Sequence, residues 1–203
     1  MKKGKAYTIA FRRKREGKTD YRTRLKLLTS KKLRVVVRRK LNNFTVQIIN
    51  FEAKGDKVLI GVSSRELIKY GWKAHRGNLS SAYLTGYLCG LKAKKNKLTE
   101  GILDIGPNEA VPKSSFFALA KGLKDAGFNL PLGEKVIPGE DRIKGIHIEN
   151  YAKQLSKDTN LYTKHFSQYI KNGLKPEDLS KHFEETKKKI QQKWQWWNLT
   201  QWT

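Results

Sequence analysis

The feature that most constrains this chain is a large excess of positive charge, concentrated near its N-terminus. Lys and Arg number 43 against 18 Asp and Glu, a formal net charge of +25. Residues 1–40 hold 17 of those basic residues and only two acids, which accounts for +15. A compact chain with this charge repels itself unless a polyanion neutralises it. The sequence therefore predicts a nucleic-acid partner.

The pattern of residue types changes along the chain and indicates three parts. The first is a basic arm over residues 1–32, in which Phe11, Tyr21 and several leucines are interleaved with the charges. The second, residues 33–131, alternates strand-like and helix-like segments, as an α/β core domain does. The third, residues 132–203, has helical patterns only. We therefore expect an α/β fold, with a mixed sheet and packed helices, that carries a basic N-terminal arm and a helical C-terminal extension.

Four segments rich in β-branched and aliphatic residues predict the strands of this core. They are residues 33–39, 44–52, 58–62 and 101–105. Turn-forming residues separate the first three, which predicts a meander.

Helices are predicted between and after these strands from capping residues and apolar spacing. Ser64 is expected to cap a short helix over residues 65–69, and Asn78 or Ser80 a longer one over residues 79–94. The small residues Ala82, Gly86 and Gly90 recur every four positions in the longer helix, so its backbone is expected to lie close to the sheet. Further helices are expected from Ser114 or Ser115 through residue 126, and over residues 142–155, 161–171 and 176–194.

Residues capable of catalysis or metal binding are sparse. The four histidines have no second His or Cys at ligand spacing, Cys89 is the single cysteine, and no phosphate-binding glycine loop is present. We therefore predict neither a cofactor nor an enzyme. One alternative is a metal-dependent RNA-processing nuclease on the α/β core, with Asp104 as a metal ligand and Glu109 and Asp125 nearby. The other interpretation of Asp104 is a hydrogen-bonding or capping group at a strand end.

Membrane association is the second alternative. No apolar run approaches the roughly 20 residues needed to span a bilayer, and no signal peptide is evident, so a cytoplasmic protein is predicted. Residues 187–189 and the tryptophans near the C-terminus would suit an anionic lipid surface. The basic arm at the opposite terminus argues against that interpretation. The tryptophans Trp194, Trp196, Trp197 and Trp202 nevertheless require some covering surface.

A second candidate contact with nucleic acid is the loop over residues 71–78. Lys73 and Arg76 are placed to reach phosphates. Trp72 is open to two interpretations, a ring that stacks on an unpaired base or a ring that packs in the core. The arm is expected to supply affinity, whereas RNA shape and splayed bases supply specificity.

Four ordered segments carry a resemblance to a known family: FRRKREGKTDYRTRLKLL from Phe11, GWKAHRGNLSSAYLTG from Gly71, ILDIG from Ile102 and RIKGIHIENYA from Arg142. Together they resemble the archaeal and eukaryotic long form of the ribosomal protein L-eighteen family. The resemblance implies a structural protein of the large ribosomal subunit that binds 5S rRNA. It also implies attachment of 5S rRNA to 23S rRNA in the central protuberance, close to ribosomal protein L-five.

The same resemblance implies the binding residues. It places along 5S rRNA the arm residues Arg12, Arg13, Arg15, Lys18, Thr19, Tyr21, Arg22 and Arg24, with Trp72, His75, Arg76 and Asn78 as a second contact, beside Lys73 of the same loop. The sequence departs from the family pattern at three places. They are Ala74 where a glycine is expected, the run from Leu79 to Ser81 where Thr-Pro-Ala is usual, and Ile146 where Glu is common.

Overall fold

A four-stranded mixed sheet forms the centre of the molecule. The computed structural model describes residues 8–199, with side chains described as far as Trp194. The strands are β1 (Arg34–Arg39), β2 (Phe44–Asn50), β3 (Lys57–Ser63) and β4 (Ile102–Asp104). Their order is β3-β2-β1-β4, with β1 antiparallel to β2 and parallel to β4. The predicted meander and the α/β fold with a mixed sheet are confirmed.

The α-helices of the described residues lie in the arm, between the strands and throughout the C-terminal region. They are α1 (Arg12–Arg15), α2 (Tyr21–Thr29), α3 (Leu79–Lys95), α4 (Ser115–Asp125), α5 (Glu140–Lys144), α6 (Ile146–Leu155), α7 (Thr159–His165), α8 (Ser167–Lys171) and α9 (Leu179–Leu199). Short 3-10 helices add Ser64–Tyr70, Glu134–Val136 and Pro176–Asp178. No helix within residues 8–199 is both long and apolar enough to cross a membrane.

One face of the sheet is apolar and is covered by helices. Val35 and Val37 of β1 and Val46 and Ile48 of β2 are fully buried, as period-two alternation requires on a covered face. Helix α3 packs on this face, and Leu84 and Leu88 share a single hydrophobic cluster with the strands. Leu179, Phe183 and Ile190 of the C-terminal region belong to that same cluster.

The small-residue stripe of α3 packs against a helix, not against the sheet as the sequence analysis expected. A Cβ atom at Gly86 would collide with the backbone carbonyl of Leu119 in α4, and one at Gly90 would meet the Cβ of Ala126. Gly122 of α4 makes the reciprocal approach to the backbone of α3. The stripe therefore lets two helices approach closely, and together they form the layer above the sheet.

Several helix boundaries differ from those that the sequence predicted. Ser63, not Ser64, caps the 3-10 helix in a reciprocal capping box with Glu66, while the Ser64 hydroxyl accepts a hydrogen bond from Phe44 N (3.0 Å). The predicted helix over residues 142–155 is broken at Gly145, whose φ of 88° ends α5. The one over residues 161–171 is broken at Phe166, which is buried and separates α7 from α8.

The other face of the sheet carries a buried cluster of ion pairs. Arg34 and Asp104 share this face because the parallel register sets Arg34 beside Ile102 and Val36 beside Asp104. The Arg34 guanidinium, with its side chain 3% exposed, contacts Asp104 at 3.0 Å and Asp56 at 2.7 Å. Arg38 approaches Asp104 at 3.4 Å, and Gly106 N donates to the same carboxylate at 2.8 Å. Buried charges of opposite sign thus compensate one another across three segments.

This cluster also holds the basic arm on the sheet. Arg24 of α2 contacts Asp56 at 2.9 Å, so the Asp56 carboxylate joins the arm to Arg34 of β1. Burial opposes ionisation of Asp56, but hydrogen bonds from Arg34 and Arg24 outweigh it and lower the pKa of this carboxyl below its usual value. Asp56 therefore stays ionised and serves as the anchor of the arm.

The close contact between α3 and α4 generates a first prediction. Gly86→Ala adds one methyl group where the Leu119 carbonyl leaves no space, and we expect it to lower the free energy of unfolding by about 1–3 kcal/mol. Gly133→Ala is the matched control, because nothing lies within 4 Å of its Cβ position and its φ is −72°. Urea denaturation of both variants measures the difference. Equal stabilities would contradict the packing described above.

The buried ion cluster generates a second prediction. Asp104→Ala leaves Arg34 with one carboxylate partner in place of two, and we expect a loss of about 3 kcal/mol in the free energy of unfolding. Glu100→Ala is the control, because its ion pair with Lys32 lies on the surface (side chains 50% and 47% exposed). Exposed pairs of this kind contribute about 0–1 kcal/mol. A loss from Asp104→Ala no larger than that from Glu100→Ala, by urea denaturation, would refute the structural role of Asp104.

Candidate nucleic-acid interface

The arm is built as two short helices, which the sequence analysis did not predict. Asp20 caps α2: its carboxylate accepts hydrogen bonds from Arg22 N (3.0 Å) and from the Thr23 hydroxyl (2.6 Å). Both hydrogen bonds lower the pKa of Asp20, and the bond from the Thr23 hydroxyl has the larger effect. Phe11 and Tyr21 are in contact, with ring centroids 5.2 Å apart, and so bring the two helices together.

Most of the cations predicted in the arm face solvent. Arg12, Arg13, Arg15, Lys18 and Arg22 are all exposed. Their only acidic contacts within the described residues are surface pairs, Lys18 with Glu16 at 2.7 Å and Arg12 with Glu16 at 3.7 Å. Such pairs contribute little and exchange readily for phosphate. The arm therefore presents a row of available positive charge.

The remaining arm residues hold that row in place. Arg13 Nε donates to the Thr19 hydroxyl at 2.9 Å, which fixes the direction of one guanidinium. Arg24 points inward to Asp56, unlike the exposed cations around it. Between the arm and the sheet lies an open groove of about 560 Å³, lined by Arg13, Lys18, Arg24 and Arg38 among others. Asp20, Asp56 and Asp104 also line the groove, so its charge is mixed, and most of the exposed cations of the arm lie outside it.

In the 71–78 loop, the second predicted contact, the sequence left two interpretations open for Trp72. The structure places its ring in the core. Its side chain belongs to the hydrophobic cluster, with the residue 3% exposed. The ring stacks on His182 of α9, with centroids 5.2 Å apart and planes 21° apart. With so little of the ring accessible, Trp72 is not positioned to stack on a base in this structure.

The loop around Trp72 is tied to the C-terminal helices. Lys73 N donates to His182 Nε2 at 3.0 Å, and the Asn172 amide donates to Lys73 O at 2.7 Å. Burial lowers the pKa of His182, so its imidazole is neutral and able to accept this bond. The Lys73 backbone is thereby fixed, while its side chain is exposed.

The other loop residues differ in the contacts that they make. Arg76 is half-buried and has no ion pair within the described residues. His75 Nδ1 accepts from Gly77 N at 3.1 Å, and burial, with the charge of Arg76, lowers the pKa of this imidazole. Asn78 caps α3, its amide oxygen accepting from Ser81 N at 2.8 Å. Of the two caps that the sequence proposed, Asn78 is the one used.

The geometry disfavours both alternatives drawn from the sequence. Each oxygen of Asp104 is occupied by Arg34, Arg38 or Gly106 N, so none is left for a metal ion. Within the described part of the chain, no group of three or more His, Cys, Asp or Glu is arranged to hold a metal. For the lipid-surface alternative, Lys187 is partly withdrawn, since its ammonium lies 2.9 Å from the Tyr83 hydroxyl. Trp194 packs partly buried against the core, while the side chains of Trp196, Trp197 and Trp202 lie outside the described residues.

Sequence reasoning missed several residues that organise these surfaces. Asp56 and Arg34 anchor the arm, and Asn172 and His182 hold the 71–78 loop. One signal was present: Arg34 stands at the start of a strand that is otherwise valine-rich, and such a buried cation requires an acid nearby. Asn172 and His182 gave none, because they are about 100 residues from the loop in sequence.

Comparisons with known proteins show the family of this chain. Residues 5–101 match the family model described as ribosomal large subunit proteins 60S L5, and 50S L18. The chain is also 50% identical to the large ribosomal subunit protein uL18 of Methanococcus maripaludis over 184 residues, which is 91% of this chain and 95% of that protein. The proteins of this family are structural parts of the ribosome, so the nuclease alternative is wrong and the prediction of a protein that is not an enzyme is confirmed. The chain belongs to the uL18 family of large ribosomal subunit proteins.

Proposed function

We propose that this ribosomal protein binds 5S rRNA through its N-terminal arm and helps attach it to 23S rRNA in the central protuberance, beside ribosomal protein L-five. The observation that carries the proposal is the row of exposed cations on an arm whose base is anchored to the sheet. Five exposed side chains, Arg12, Arg13, Arg15, Lys18 and Arg22, would contact phosphates. Arginine suits this role because its planar fork can bind a phosphate through two hydrogen bonds.

The anchoring supports binding as well as stability. Arg24 binds Asp56, so its guanidinium is not available to a phosphate, but this ion pair holds α2 against the rigid sheet. Thr19 directs Arg13, and Tyr21 packs against Phe11, so both act by positioning the cations. A row of charges held in place loses less conformational freedom on binding than a flexible tail does.

The 71–78 loop supports a second contact with RNA. Lys73 and Arg76 supply charge, and His75 supplies a neutral imidazole beside them. Trp72 and Asn78 contribute by shaping this loop, one as its buried support and the other as the cap of α3. Two separate contacts on one rigid body would allow the protein to recognise the shape of a folded RNA.

The arm cations generate a third prediction. The combined variant Arg13→Gln, Arg15→Gln and Arg22→Gln removes three phosphate contacts. We expect weaker binding to 5S rRNA and a slope of log affinity against log salt that is shallower by about 2–3. The control replaces three exposed lysines of the C-terminal region, Lys153→Gln, Lys157→Gln and Lys164→Gln, with the same change in net charge.

Filter binding against 5S rRNA and against a tRNA, at several salt concentrations, measures both effects. We expect the native chain to prefer 5S rRNA at high salt, and the arm variant to lose more affinity than the control. Equal binding of both RNAs that disappears with salt would contradict 5S rRNA recognition. Equal losses in the two triple variants would contradict the role of the arm.

A further inference from the structure

A second concave surface lies apart from the arm, between the 71–78 loop and the C-terminal helices. This loop cleft has a volume of about 510 Å³. Its walls come from four distant segments: the turn between β1 and β2, the 3-10 helix at Ile68, the loop itself, and α8 with the residue that follows it. Pockets that enclose a small ligand span about 300–1,000 Å³, so the cleft has the size of a small-molecule site.

The floor of the cleft is apolar and fixed. Trp72 and Ala74 are 3% and 5% exposed, and the Trp72 ring is held between the core and His182. Its indole N–H makes a long hydrogen bond to His75 O (3.4 Å). Ile68, 53% exposed, adds an accessible aliphatic surface at the side. A flat ring entering the cleft would thus contact mainly Ile68, with Trp72 and Ala74 as rigid support beneath it.

The backbone of the loop is also fixed before any ligand binds. Lys73 N donates a hydrogen bond to His182, and Lys73 O accepts one from Asn172. Gly77 N donates a third hydrogen bond, to His75 Nδ1. The last bond places the imidazole proton on His75 Nε2, which becomes a hydrogen-bond donor. A preformed cleft of this kind avoids the cost of ordering a loop on binding.

Several polar groups that line the cleft have no partner among the residues that the structure describes. The amides of Asn42 and Gln168 are exposed and make no hydrogen bond within the described residues. Each offers both a donor and an acceptor, as the edge of a nucleobase does. Lys73, Arg76 and Lys171 line the same cleft and form no ion pair in the described part of the chain, and no acidic residue lines it.

We infer that the loop cleft binds a single unpaired nucleotide of the RNA. The base would lie against Ile68 and the edge of Trp72, with its polar edge on the amides of Asn42 and Gln168. The flanking phosphates would contact Lys73, Arg76 and Lys171. The inference rests on the proposed RNA binding, but it assigns a site that the arm does not share. A paired base is excluded by size, since a cleft of about 510 Å³ cannot admit a duplex.

The test uses the full chain and short RNAs, without 5S rRNA. Binding of dye-labelled adenosine, uridine, cytidine and guanosine trinucleotides is measured by fluorescence anisotropy, beside a trinucleotide whose residues lack bases. All of these probes carry the same phosphates, so contacts of the arm affect them equally. We expect at least one probe with bases to bind about tenfold or more tightly than the abasic probe, the effect of one well-held base.

Two tryptophan variants locate that preference. Gln168→Trp fills the cleft without changing net charge and is expected to abolish the preference for bases. Gln154→Trp, at an exposed position of α6 outside the cleft, is expected to leave it unchanged. Arg76→Gln is expected to weaken all probes, the abasic one included, while the preference for bases remains. Thermal unfolding followed by circular dichroism verifies that the three variants are folded.

Each contrary result overturns the inference. Equal affinity of the native chain for abasic and base-containing probes would mean that the cleft holds no base. A preference for bases that survives Gln168→Trp would place the base elsewhere, for example on Phe11 or Tyr21. A hexaglutamate peptide that abolishes the preference for bases, while the abasic probe still binds, would assign the cleft to an acidic protein segment. Failure to prefer 5S rRNA over tRNA would instead contradict the proposed function, because the trinucleotide assay contains neither RNA.

Discussion

The buried guanidinium of Arg34 is the interaction on which the architecture of this protein most depends. It lies on the face of the sheet opposite the main core and binds two carboxylates, Asp104 on the neighbouring parallel strand and Asp56 before β3. Asp56 also binds Arg24 of the arm. A buried cation without partners would cost several kcal/mol, so each of these two pairs offsets part of the cost of burying Arg34. The single charge of Arg34 thereby holds three elements on the sheet: the short strand β4, the turn before β3 and, through Asp56, the arm.

This arrangement divides the positive charge of the chain between two roles. Arg34 is buried, Arg24 and Arg38 are partly buried, and all three are paired with acids, so they stabilise the fold. Among the residues that the structure describes, the exposed cations of the arm have only weak surface partners, so they remain available to phosphate. With 43 basic residues and 18 acids, most cations cannot find an internal partner. Asp56 anchors the arm and Asp104 pairs with the arginines of β1, while the exposed face of the arm stays positive.

Much of the fold could be predicted from local patterns. Runs of β-branched residues such as Val35 and Val37 identify strands, and capping residues such as Asn78 identify helix starts, because both effects act over a few residues. The breaks at Gly145 and Phe166 could not be predicted in this way. Gly145 lies against Leu179, and Phe166 is buried, so tertiary packing decides where those helices end. The stripe of Gly86 and Gly90 was identified correctly, but the sheet was predicted as its packing partner and α4 is the observed one. Small residues permit close approach to a helix and to a sheet alike, so the sequence could not decide between them.

The sequence by itself determined the charge class, the α/β pattern and the family of this protein, because composition, periodicity and ordered motifs are properties of the chain. Only the tertiary structure decided which cations are free and which are paired. Arg22 and Arg24 are two residues apart and chemically identical, yet one faces solvent and the other binds Asp56. It also decided that Trp72 is buried beneath His182 and that Lys171 and Asn172 adjoin the 71–78 loop. Contacts between residues about 100 positions apart leave no local signal, because they depend on how complete helices pack on the sheet.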